Sequence, residues 1–168
     1  AIDRSALTQT GDPLGVPTGL GERWCGVRVG TLPGSTVNVF FLEHDDLFGR
    51  DGLYGDAAGE FGDNALRYTV LSRGALQLCH YLGWYPDVIH CNDWQTALVP
   101  GYVNSVERSS ELGKAATLLT IHNLGYQGRY APDAFAQTGL PWDYFTHLGY
   151  EYHDGLNMLK GGLYHATL

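Results

Sequence analysis

The chain has 168 residues, 44% hydrophobic and 17% charged, with a formal net charge of -8. That is room for one domain with a real core, and the composition excludes a disordered chain. With 10 Lys plus Arg against 18 Asp plus Glu, the balance also excludes a nucleic-acid binder, which needs a basic face.

Residues 1–22 are rich in Gly, Pro and polar side chains and read as a loop or loose end. "WCGVRVGTL" then alternates apolar residues at Cys25, Val27 and Val29, the mark of a half-exposed strand. "PGST" is a turn, and residues 37–42 form a second strand, so the pair reads as a hairpin. Residues 43–64 make a long Gly-rich loop, a length that is often functional. Asp63 is expected to cap a helix whose apolar face is Leu71, Ala75, Leu78 and Cys79, with Gly83 just past its end.

"PDVIHC" reads as a short buried strand, and residues 93–106 as a helix kinked at Pro100. "AATLLTIHN" is a further strand, residues 142–155 are aromatic and irregular, and residues 156–166 form a last helix weakened by Gly161 and Gly162. The order strand, helix, strand, helix, strand predicts parallel strands with right-handed crossovers, an α/β fold. Cys25, Cys79 and Cys91 are odd in number, widely spaced and in apolar surroundings. They read as buried free thiols of a reducing cytoplasm, and the lack of Cys-x-x-Cys or His-Glu-x-x-His predicts no metal site. No apolar run has the length of a membrane span and no signal peptide opens the chain, so no membrane partner is expected.

In parallel α/β sheets, ligands bind beyond the carboxyl ends of the strands. Two polar clusters fall at that edge. One strand runs into Asn92, Asp93 and Trp94, the other into His122 and Asn123. Taken singly, His122 reads as a structural imidazole and Asp93 as a helix cap. Their convergence by topology favours a site. Trp94 and Tyr54 read either as core or as aromatic surfaces for sugar rings, with Asp93, Gln95 and Asn123 supplying groups for hydroxyls. No Gly-x-Ser-x-Gly elbow, Walker loop or Gly-x-Gly-x-x-Gly occurs.

"LFGRDGLYGD", "GDNALRYTVLSRGALQL", "PDVIHCNDWQTALVPGY", "TIHNLGYQGRY", "GLPWDYF" and "LNMLKGGLYHA", in this order, resemble the bacterial glycogen synthase and plant starch synthase family across residues 22–168. The resemblance implies a GT-B architecture, two Rossmann-like domains facing a cleft. It implies a retaining, cofactor-free transfer of glucose from ADP-glucose or UDP-glucose to the non-reducing end of an α-1,4-glucan. Residues 1–168 then form part of the N-terminal, acceptor-side domain of a cytoplasmic enzyme, without its C-terminal nucleotide-sugar-binding domain, and are expected to be inactive alone.

By the same resemblance His122 and Asp93 match catalytic positions, and Asn123, Trp94, Gln95 and Tyr54 match substrate-binding positions. The family's Lys-x-Gly-Gly loop is absent, and "HCND" stands where "HAHD" is common. Two rivals remain: another GT-B transferase such as a sucrose-synthase-like enzyme, which "HNLGYQG" and "LPW" disfavour, and a non-catalytic glucan-binding module.

Overall fold

The computed structural model describes residues 4–168. Residues 1–3 of the expected N-terminal loop lie outside the described residues. The rest of that stretch is a correction: β1 (Thr8–Gln9) and β2 (Leu14–Thr18) are strands, and β3 (Gly21–Thr31) starts earlier than its alternation suggested. Gly15 and Pro17 disguise β2 in the sequence, yet Leu14 and Val16 alternate inward and are buried. The predicted hairpin holds, with β3 antiparallel to β4 (Asn38–Glu43) from Gly26 opposite Glu43 to Thr31 opposite Asn38. β2 and β1 pair antiparallel with β3 as well.

The long loop carries α1 (Asp45–Phe48) and a small hairpin of β5 (Gly55–Asp56) and β6 (Gly59–Glu60). α2 (Asn64–Leu82) then runs for 19 residues and ends at Gly83, whose φ of 60° is left-handed as the sequence predicts. The Asp63 carboxylate does not cap it. It grips Arg50 with two bonds of 2.7 and 2.6 Å, and the charge and hydrogen bonds of that guanidinium hold its carboxyl below the usual range.

The predicted apolar face of α2 is also corrected: Ala75 is exposed, and Leu71, Leu78 and Cys79 are half-buried. The reason is that α2 lies between two cores. Leu66 and Val70 pack with Leu14, Val16, Cys25 and Val27. Ala65, Tyr68 and Leu76 pack with Trp94, Leu98 and Tyr102 in the larger core. A helix covered on both sides shows no single apolar stripe. Gly74 lets the sheet approach, since a Cβ there would lie 2.5 Å from the Leu42 side chain.

β7 (Val88–Asn92) runs parallel to β8 (Ala116–Thr120), in register from Val88 opposite Ala116 to Asn92 opposite Thr120. α3 (Val99–Asn104) lies in the crossover between them. The helix expected over residues 93–106 is thus a 3-10 turn, Trp94–Thr96, followed by α3. Pro100 sits in the first turn of α3, where its missing N–H costs nothing, rather than at a kink. β7 is not a buried strand: only Cys91 is buried, and Val88 is 56% exposed. The strand over residues 37–42 belongs to the antiparallel unit, so among the described residues the parallel pairing is confined to β7 and β8.

β9 (Arg129–Tyr130) and α4 (Ala134–Thr138) come next. Residues 142–155, expected to be irregular, carry a 3-10 turn (Trp142–Tyr144), β10 (Glu151–Tyr152) and the start of β11 (Gly155–Asn157), and the expected last helix is α5 (Met158–His165). β11 pairs with both β9 and β10. All three cysteines are free, and burial pushes the thiols of Cys25 and Cys91 up to about 11 and about 12.

One ion cluster fastens the far half of α2. Glu107 is 3% exposed and bonds Arg73, His80 Nε2 at 2.9 Å and Ser110 Oγ at 2.7 Å. Burial pushes its carboxyl up, but Ser110, His80 and Arg73 together outweigh that and hold it low. Removing one partner of a buried pair strands the other, so Glu107→Ala should destabilise the fold by about 3–5 kcal/mol. Urea unfolding followed by circular dichroism measures this; a loss under about 1 kcal/mol would mean that the cluster behaves as a surface pair.

Candidate active site at the carboxyl edge of the parallel pair

Register does the first part of the work. β7 and β8 end level, so the residues just after each strand lie side by side. The Asp93 N–H donates to Thr120 O at 2.8 Å and extends the ladder by one step. Asp93 then turns sharply, with φ 57° and ψ -170°, a region that glycine enters freely and other residues seldom do. The turn aims its carboxylate across at the neighbouring strand.

That carboxylate is fully engaged. Oδ1 accepts the His122 backbone N–H at 2.7 Å and, more weakly, that of Asn123 at 3.4 Å. Oδ2 accepts from His122 Nδ1 at 2.9 Å. These bonds, the His122 backbone N–H foremost, hold the Asp93 carboxyl below the usual range. The His122 side chain is 61% exposed, and its Nε2 is the ring nitrogen turned away from Asp93.

Beside this pair lies a cleft of about 530 Å³. Its walls include Tyr54, Asp93, Trp94, Gln95 and Asn123, so five of the six residues singled out from the sequence meet here. His122 is not among the lining residues; it stands next to Asn123 and bonds Asp93, and both of those line the cleft. Trp94 is only 7% exposed, so its dominant role is packing. Its ring meets Tyr68 edge-on at 4.6 Å and lies 5.9 Å from Tyr54 and 6.2 Å from Tyr130, giving the cleft an aromatic floor. Gly128, with φ 62°, lies so close that a Cβ there would be 2.5 Å from the indole.

Tyr54 reaches the site from the long loop, where α2 anchors it. Asn64 Nδ2 donates to Tyr54 O at 2.8 Å, and Arg67 donates to Leu47 O at 2.6 Å and Leu53 O at 2.9 Å. The Tyr54 hydroxyl accepts from Gln95 Nε2 at 2.6 Å, closing the loop over the parallel pair. The cleft therefore offers aromatic area together with carboxamide, hydroxyl and carboxylate groups. Apolar walls with a few fixed polar groups are the usual make-up of a small-molecule site. Sequence reasoning missed Glu60, Gln127, Arg129 and Tyr130, which also line it. Three of them stand in the "GYQGRY" run, whose proximity to His122 along the chain was the available signal.

Fold and cleft define an α/β protein with a candidate site at the carboxyl edge of parallel strands. The particular family follows from comparison. Residues 3–168 match the starch synthase catalytic domain family, and the chain belongs to it. It is 45% identical over 168 residues to glycogen synthase 1 of Geobacter sulfurreducens, covering 99% of this chain and 34% of that protein. To the glycogen synthase of Treponema denticola it is 42% identical over 163 residues, 96% of this chain and 33% of that one. The catalytic domain of starch synthase IV from Arabidopsis thaliana, solved bound to ADP and acarbose, superposes with a TM-score of 0.82. Its identity is 26%, over 96% of this chain and 33% of that chain. The chain spans about a third of the length of these curated relatives.

The depressed Asp93 carboxyl sets a pH test. A carboxylate held below its unfolded value stabilises the fold above the ordinary carboxylate range, and that contribution is lost as pH falls through the lower folded value. Asp93→Asn removes the titration. The stability gap between the wild-type protein and Asp93→Asn should be largest near neutrality and shrink below about pH 4. Urea midpoints across pH measure it; a gap that stays constant into acid would show that the charge on Asp93 contributes nothing.

Proposed function

We propose that this chain is the acceptor-side part of a GT-B glucosyltransferase that elongates an α-1,4-glucan. Glucose passes from ADP-glucose or UDP-glucose to the non-reducing end, with retention of configuration and no cofactor. The nucleotide is held by a C-terminal domain outside these residues. The observation that carries the reading is the Asp93–His122 pair standing beside an aromatic-floored cleft, in a chain of the starch synthase catalytic domain family. The bound ADP and acarbose of the starch synthase IV structure support a nucleotide-linked donor and a sugar-like acceptor for this chain as well. The three free cysteines fit a reducing cytoplasm.

The proposed roles combine this geometry with the family resemblance. His122 presents its ring and neighbouring backbone to the transferred glucose, where dipoles fixed in advance favour an oxocarbenium-like transition state. Asp93 has both oxygens committed to residues 122 and 123, so it acts chiefly by holding His122, with its negative charge offsetting positive charge developing nearby. Gln95, Asn123 and the Tyr54 hydroxyl meet sugar hydroxyls, and Tyr54, 41% exposed, offers more ring surface to the acceptor than Trp94 does.

Two measurements test this. In the intact polypeptide, incorporation from ADP-[14C]glucose or its UDP counterpart into glycogen should be readily detected. Binding of glycogen with no transfer from either donor would instead support a glucan-binding module. His122→Ala should lower kcat by about a hundredfold or more while the melting temperature stays close to that of the wild-type protein. A variant that melts early yet keeps its turnover per folded molecule would make His122 structural.

A further inference from the structure

We propose that Asn157 is a positioning residue of this site, whose buried amide holds the turn over residues 122–128, and with it His122 and Asn123, through a directional relay that ends on Gln127 and Leu124. The proposal rests on the functional reading of that turn given above.

Asn157 lies at the end of β11, outside the cleft, and is 1% exposed. Both halves of its amide are used. Oδ1 accepts the Lys160 N–H at 2.9 Å, the N-cap bond of α5. Nδ2 donates to Gln127 Oε1 at 2.8 Å. Gln127 in turn donates from Nε2 to Leu124 O at 3.1 Å, inside the turn. A backbone carbonyl can only accept, so Gln127 must present its NH₂ to Leu124 and its oxygen to Asn157. Asn157 must then present its NH₂ to Gln127 and its oxygen to Lys160, a backbone N–H that can only donate. The two ends of the relay fix each amide's orientation.

The backbone docks in parallel. The first N–H groups of a helix lack partners within it. Here Met158 N–H donates to Gly128 O at 3.1 Å and Leu159 N–H to Gln127 O at 3.0 Å. The start of α5 is therefore a post to which the rear of the turn is tied, while Asp93 ties its front through the N–H groups of 122 and 123. Leu124, Gly125 and Tyr126 span the exposed stretch between the two ties.

Capping alone does not require Asn. Asp, Ser or Thr would serve α5 as well, since the cap uses only an acceptor. The donor half of Asn157 is what the relay adds, and Asn157→Asp removes that half alone. The carboxylate keeps the cap and the shape but faces the Gln127 oxygen. If Gln127 rotates to satisfy it, the Gln127 oxygen faces Leu124 O instead, so one bond of the relay is lost in either case.

Hydrogen exchange followed by mass spectrometry on the intact polypeptide separates the roles. In Asn157→Asp, exchange in the peptide covering residues 121–129 should accelerate about tenfold, while the peptide covering 158–166 stays within about twofold of wild type. Turnover should fall about tenfold with donor KM little changed, because a small misplacement of a reacting group is costly in rate. Asn157→Ala, which also removes the cap, should accelerate exchange in both peptides. Unchanged exchange over 121–129 in Asn157→Asp, or a parallel rise in both peptides, would leave Asn157 as a helix cap and overturn the proposal. So would full turnover on a loosened turn. If the wild-type polypeptide transfers no glucose, the functional reading fails by itself, and the exchange data still decide whether the relay holds the turn.

Discussion

The site depends on one carboxylate. Asp93 adopts a backbone conformation that costs a non-glycine residue about 1–3 kcal/mol. Charge-assisted bonds to the His122 backbone and ring, each worth about 1.5–3 kcal/mol, offset that cost. The strain and the bonds are one device: only the turned backbone aims the carboxylate across the parallel pair. A more relaxed residue here would leave the end of β8 untied, and the imidazole free to rotate.

Everything else in the fold brings groups to that edge. α2 sits between two cores, so its first turn can face the long loop with a buried Asn64 and a buried Arg67. Those two side chains hold the carbonyls of Leu47, Leu53 and Tyr54, and a loop with little regular structure becomes a fixed wall. The guanidinium groups of Arg50 and Arg67 stand 4.9 and 5.1 Å from the centre of the Phe61 ring and add two cation–π contacts. The antiparallel unit thus serves the site at one remove: it covers the back of α2, and the front of α2 holds the loop that carries Tyr54.

The sequence made the site more legible than the fold around it. Strands that end in polar residues identify a ligand edge when the crossover is simple, and this placed Asp93 beside His122 correctly. The same logic put the strand over residues 37–42 into the parallel sheet, because chain order cannot tell a hairpin partner from a crossover partner. Periodicity failed at α2 because burial on two sides erases the stripe it looks for. It failed at β2 because Gly15 and Pro17 interrupt the alternation of Leu14 and Val16. Pro100 read as a kink only because the helix start was placed too early. Trp94 was ambiguous for a physical reason: it belongs to the buried core and also lines the cleft. Asn157 gave no signal, since a cap and a relay donor look alike in sequence.

The protonation of the His122 ring tests the central claim most directly. A free neutral imidazole favours the proton on Nε2. If the Asp93 carboxylate orients the ring in this way, the proton sits on Nδ1 and the lone pair on Nε2, the nitrogen turned away from Asp93. Protein labelled with 15N-histidine, recorded at about pH 9 where neutral imidazole prevails, with His122 assigned by its loss in His122→Ala, reports the tautomer through its nitrogen shifts. The expected result is a protonated Nδ1 in the wild-type protein that is lost in Asp93→Ala. A protonated Nε2 in the wild-type protein, or a tautomer that Asp93→Ala leaves unchanged, would contradict the orienting role of Asp93.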